Sequence, residues 1–161
     1  ARSTHCVSSA ASEVYKGQGP DVLVAAMSQV HRERKIHMAI PGPSRGYLKR
    51  GFDDLGIPYS APGFVADSQM PLWHKAVDLY VSPSREEGGP AGVLEALSTG
   101  VPVVATRTGI APDIMMTGRE GLLVDVGDHD GLADGVLQLL QDDDMADTCS
   151  RNAVLTARNL D

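Results

Sequence analysis

The sequence predicts an α/β fold, a doubly wound and mostly parallel sheet of about six strands with helices on both faces. Three observations predict it. Short β-patterned segments alternate with segments whose apolar residues fall at helical spacing. The connections between them are short, as βαβ crossovers require. Residues 101–105 (Val-Pro-Val-Val-Ala) are apolar throughout, the pattern of a strand covered on both faces.

The elements follow in order. Residues 5–8 form a weak first strand. Residues 21–30 read as a helix, with Val22, Ala25, Ala26, Gln29 and Val30 at helical spacing and Pro20 and Asp21 at its start. The basic run from His31 to Lys35 then lies at the helix C-terminus, where cations favour the dipole. Residues 36–40 alternate as a strand, and 41–44 turn. Residues 45–55 read as a helix closed by Gly56. Residues 57–65 hold a short strand broken by Pro62 and Gly63. Asp67 or Ser68 is expected to cap a helix over 69–76, with Trp73 anchored in the core and His74 at the surface or half-buried. Residues 77–81 alternate into the exit turn Ser82, Pro83, Ser84. A helix over 90–98 stops at Gly100, with Val93, Leu94 and Leu97 as its core face. A short helix is expected at 111–116, a strand at 121–125, and an amphipathic helix at 128–140 with Leu132, Val136, Leu139 and Leu140 on one stripe. A last helix covers 145–159, and Asp142, Asp143 and Asp144 read as a solvated link before it.

Composition narrows the function. The 161 residues suit one domain, here 1–161, with its C-terminal helix within 145–161. Hydrophobic residues at 42% and charged residues at 22% match a globular chain. The net charge of −7 disfavours a nucleic-acid binder, and 4% aromatics leave little for base stacking. Residues 1–50 nonetheless carry eight Lys/Arg against three Asp/Glu, so a small anion can be held there. Cys6 and Cys149 make no metal or redox motif and read as free thiols of a reducing, cytoplasmic compartment, with one long-range disulfide as the alternative. The histidines show no metal-ligand spacing. No apolar run is long enough to span a membrane. The chain begins at Ala1 rather than Met, as expected of a domain drawn from a longer protein.

Ligands of doubly wound sheets bind at the carboxyl ends of the strands, so the turns that follow strands are the candidates. The richest is Ser84-Arg85-Glu86-Glu87-Gly88-Gly89-Pro90-Ala91-Gly92, which leads into Val93-Leu94-Glu95-Ala96-Leu97. Small residues let a ligand approach the backbone. The free N–H groups and positive dipole end of the helix start suit an anion. Glu95 falls on the helix flank with Ala91, as either a surface acid or one of two acids bracketing a ligand. A carboxylate accepts two hydrogen bonds at once and so matches vicinal sugar hydroxyls.

Glu87 and Glu95 form a Glu-x7-Glu pair, preceded by Ser82-Pro83-Ser84 and followed by Gly100-Val101-Pro102-Val103-Val104-Ala105. Lys16-Gly17, Ile40-Pro41-Gly42-Pro43, Asp78-Leu79-Tyr80-Val81, Thr108 to Asp113 and Gly121-Leu122-Leu123-Val124 complete an ordered set over about residues 14–140. The set resembles the nucleotide-sugar domain of the retaining group 1 (family four) glycosyltransferases, the Rossmann-like half of a GT-B fold. The resemblance implies a glycosyltransferase donor domain that moves a hexose from a UDP- or GDP-sugar. Glu87 would reach the donor sugar near the anomeric centre and Glu95 the ribose hydroxyls. The diphosphate would meet Lys16 and backbone groups of the turn formed by Gly89, Pro90, Ala91 and Gly92. Val65 would lie beside the base. No metal or other cofactor is required.

The departures from the family pattern are specific. The Arg expected five or six residues before Lys16 is replaced by Ala11 and Ala10, so half of the diphosphate clamp is missing or Arg2 or Arg107 takes its place. Pro90 offers no N–H. The acceptor domain is absent, so the isolated chain is expected to be inactive. Contact with a membrane surface is left to the full protein. The alternative is a non-catalytic binding module of the same fold. A dinucleotide-dependent oxidoreductase is disfavoured because no Gly-x-Gly-x-x-Gly follows the first strand.

Overall fold

The computed structural model describes residues 5–8, 16–43, 46–86 and 91–160, without the side chains of residues 5–8 and Lys16. Among the described residues six strands form one sheet: β1 (His5–Ser8), β2 (His37–Ala39), β3 (Tyr59–Ser60), β4 (Leu79–Ser82), β5 (Val103–Thr106) and β6 (Gly121–Val124). The helices are α1 (Pro20–Glu33), α2 (Gly46–Leu55), α3 (Met70–Lys75), α4 (Ala91–Ser98), α5 (Ala111–Ile114), α6 (His129–Gln141) and α7 (Asp143–Arg158), with a 3-10 turn at Lys16–Gln18. The strand order is β3-β2-β1-β4-β5-β6 and every pairing is parallel. The expected doubly wound sheet is therefore present.

Side chains alternate across this sheet, as a period of two requires. Met38, Ile40, Leu79, Val81, Val104 and Leu122 join one core with α1, α2 and α6. Ala39, Tyr80, Val103, Ala105 and Leu123 join a second core with α4, α5 and Ala153 of α7. Both faces are thus covered, which accounts for the apolar run of Val103, Val104 and Ala105 in β5. Helix α1 buries Val22, Leu23, Ala26, Met27 and Val30, one stripe at helical spacing. Its last turn carries His31 and Arg32, in line with the dipole reading of the basic run.

Some details differ from expectation. Strand β3 spans only Tyr59–Ser60, because the chain leaves the ladder before Pro62 and Gly63. Neither Asp67 nor Ser68 caps α3. Gln69 holds the cap position without a side-chain hydrogen bond, and the turn before it is closed by the Ala66 carbonyl accepting from Gln69 and Met70. Trp73 packs only half-buried against the second core. In α4 the buried residues are Val93, Ala96 and Leu97, with Leu94 half-buried. The aspartate link has a defined job: Asp142 accepts from the Met145 N–H at 2.9 Å and caps α7. Cys149 is a free, buried thiol. Among the described residues no helix is long and apolar enough to cross a membrane.

Candidate functional site

The strand order reverses between β1 and β4. The connection from β1 leads outward to β2, and the connection from β3 returns to β4 on the other side. The turns leaving the carboxyl ends of these two strands therefore flank one crevice, where ligands of such sheets bind. One turn contains Lys16–Gln18, and the other begins with residues 83–86, ahead of α4.

The two turns are stitched together. The Gly17 carbonyl accepts from the Arg85 N–H at 2.5 Å and from the Glu86 N–H at 3.0 Å. Gly19 adopts φ +66° and packs directly on the Pro83 carbonyl oxygen, leaving no space for a Cβ. The Arg85 guanidinium donates two hydrogen bonds of 2.7 Å to the Asp21 carboxylate in the first turn of α1. This fork-on-carboxylate contact holds the Asp21 carboxyl below its usual range. From the β5 side, the Thr106 hydroxyl donates to the Ser84 carbonyl at 2.5 Å.

The expected site residues distribute as follows. Lys16 lies in the 3-10 turn, one residue before the carbonyl that joins the two turns. Glu87, Gly88, Gly89 and Pro90 lie outside the described residues, as do Arg2, Ala10 and Ala11. Ala91 and Gly92 open α4, exposed and half-buried respectively, where the first N–H groups have no acceptor within the helix. Val65 is half-buried in the segment after β3, at the same end of the sheet. Arg107 turns toward β6: its Nε lies 3.7 Å from Asp125 and its N–H donates to the Val124 carbonyl.

Glu95 is exposed on α4, and beside it lies a residue whose burial the sequence did not signal. His74 of α3 is 1% exposed, contrary to the surface or half-buried position expected of it. Its Nε2 is 3.5 Å from Glu95 Oε2, and its ring packs tilted on Tyr80 with centroids 5.2 Å apart. Neither ring nitrogen makes a hydrogen bond among the described residues. Burial pushes the imidazole below its ordinary value of 6.5, while Glu95 pulls it back upward. The unfolded chain therefore takes up protons below about pH 6.5 before the folded chain does, and stability falls as the pH falls through that region. His31, also lowered by burial, adds a slope of the same sign. Thermal melts from pH 7.5 to 5 are expected to show this loss, and His74→Gln is expected to reduce it.

A parallel sheet in this order, with its topological reversal between β1 and β4, defines a Rossmann-like domain. The family model for the group 1 glycosyl transferases matches residues 4–142, and the chain belongs to that family. It is 31% identical over 147 residues to the GDP-mannose-dependent alpha-(1-6)-phosphatidylinositol monomannoside mannosyltransferase of Mycobacterium tuberculosis, covering 84% of this chain. The chain spans 38% of the length of that curated relative. The structure of Anabaena Alr3699/HepE in complex with UDP and glucose has a TM-score of 0.84 at 24% identity, covering 98% of this chain and 44% of that one. The C-terminal domain of the group 1 family protein LpcC from Francisella tularensis has a TM-score of 0.85 at 22% identity, covering 97% of this chain and 85% of that one. The Rossmann-like half of a GT-B glycosyltransferase is the fold these likenesses share.

Proposed function

We propose that this chain is the donor-binding half of a retaining glycosyltransferase, which binds a UDP- or GDP-hexose at the carboxyl ends of β1 and β4. The acceptor belongs to a second domain that lies N-terminal in the full protein. What supports the reading most is the seam between the two turns, where Gly17 is bonded to Arg85 and Glu86 and Gly19 packs on Pro83. Lys16 and the segment that leads to Glu87 are thereby neighbours at a switch point. The short share of its relative's length and the likeness to a C-terminal domain support the half-enzyme reading. The names of a GDP-mannose-dependent relative and of a UDP-bound structure support a nucleotide-sugar donor.

In this reading the leaving group is a nucleoside diphosphate. Negative charge develops on it as the glycosidic bond breaks, and the unpaired N–H groups at the start of α4 with the Lys16 ammonium stabilise that charge. Glu95 accepts from the ribose hydroxyls. Glu87 orients hydroxyls of the sugar beside the anomeric carbon, and Val65 borders the base. No metal is needed for these contacts. With the acceptor domain absent there is nothing to deliver the nucleophile, so the chain folds and binds but does not transfer.

Calorimetry of the chain with UDP and GDP tests the reading, and saturable binding of one of them is the expected result. Absent binding of both would assign the chain to a non-catalytic module of the same fold. Robust sugar transfer by the isolated chain would contradict the half-enzyme reading.

A further inference from the structure

His74 combines three properties that a packing residue does not need together. It is 1% exposed, both ring nitrogens lack hydrogen bonds among the described residues, and one nitrogen is aimed at a carboxylate 3.5 Å away. Buried polar atoms are nearly always satisfied, and an orphan needs a reason. At 3.5 Å the contact with Glu95 is at the outer limit of a hydrogen bond. The elements packed on the imidazole bring Glu95 from α4 and Tyr80 from β4, the latter through its ring. The charged neighbours along its own segment, Lys75 and Asp78, are exposed.

We propose that His74 is a positioning residue for Glu95. The inference rests on the donor-site reading, in which Glu95 accepts from the ribose. The imidazole carries its proton on Nε2 and directs it at the Glu95 carboxylate oxygen 3.5 Å away, before any nucleotide binds. That contact fixes the Glu95 rotamer and leaves the other oxygen, with the remaining lone pairs, free for the two vicinal hydroxyls. Glu95 is half-exposed on a flexible stem, so a partner that holds it before binding lowers the ordering cost of the complex. The consequence is selectivity for ribose, assisted by a residue that itself touches no ligand.

The test is a set of dissociation constants for UDP, GDP and their 2′,3′-dideoxy forms. The unmodified chain is expected to prefer the ribonucleotides, and Glu95→Ala to lose that preference. His74→Met is expected to reduce it by about fivefold, the scale of one hydrogen bond, with dideoxy affinity unchanged. His74→Gln, which keeps a donor at similar reach, is expected to restore most of it, and the His74→Met/Glu95→Ala double variant to lose no more than Glu95→Ala alone. Full preference retained in His74→Met, or equal loss of both nucleotide forms, would overturn the inference. If Glu95→Ala keeps the preference, or nothing binds the unmodified chain, the ribose reading fails and this inference with it. Should His74→Met not fold, the His74 ring resonances of the unmodified chain decide: GDP or UDP is expected to shift them and the dideoxy forms are not, and no shift with any of them overturns the inference.

Discussion

Gly19→Ala is expected to weaken nucleotide binding about tenfold or more and to lower folding stability by about 2–4 kcal/mol. Two costs combine. The residue sits at φ +66°, where an L side chain costs roughly 1–2 kcal/mol. A methyl group there meets the Pro83 carbonyl oxygen, a backbone atom that cannot swing aside, and such overpacking costs typically 1–3 kcal/mol. Relief comes only by parting the β1–α1 turn from the β4–α4 turn. That movement strains the bonds from Arg85 and Glu86 to Gly17 and carries the Lys16 backbone away from residues 85 and 86. Displacements of this kind disturb electrostatic sites more than their size implies, because preorganisation is what such sites supply. Urea denaturation and calorimetry on the same sample measure both effects. Wild-type affinity in a destabilised variant would show that the seam does not position the ligand.

Glu95→Ala is expected to cost about 1–3 kcal/mol of nucleotide affinity, the scale for ribose hydroxyls left without their acceptor. Folding stability should stay within about 0.5 kcal/mol at neutral pH, since an exposed side chain on a helix flank is removed. A second signature follows from His74. Glu95 raises its pKa against the effect of burial, so the variant's imidazole should titrate lower still. Histidine resonances followed against pH report that shift, and binding isotherms report the affinity. An unchanged affinity would remove Glu95 from the site even if the titration moved.

Most of the fold was legible because its strands carry their burial in their composition. Val103, Val104 and Ala105 are apolar on both faces, and β5 is buried on both. Asp128 announced the start of α6 and does cap it, accepting from the Gly131 N–H at 2.8 Å. Where the sequence misled, the elements were short. Helix α3 has six residues, too few for periodicity to outvote residue type. Residue type alone puts Trp73 in the core and His74 at the surface or half-buried. In the fold Trp73 is half-buried and His74 is 1% exposed, because Tyr80 and Glu95 meet α3 from the sheet and from α4.

The site was legible as motifs but not as an assembly. Ala91, Gly92 and Glu95 lie in α4 and the Lys16 backbone in the 3-10 turn before α1, while their roles belong to the proposal. The Arg85–Asp21 fork joins residues 64 apart in sequence, and no local pattern signals it. It also changes the electrostatic reading, since the guanidinium beside the crevice is engaged by a carboxylate. In the proposed donor site, the Pro90 and Ala10/Ala11 departures would leave more of the anion binding to Lys16 and to the N–H groups of Ala91 and Gly92.

A crystal structure of the chain with GDP-mannose or UDP-glucose tests the donor-site proposal most directly. The diphosphate is expected between the Lys16 turn and the first turn of α4, with ribose hydroxyls within hydrogen-bond distance of Glu95. The opposite end of the sheet holds a polar depression of about 270 Å³, lined by Lys75, Asp78, Gly100 and Asp143. Nucleotide bound there, or a ribose turned away from Glu95, would contradict the account.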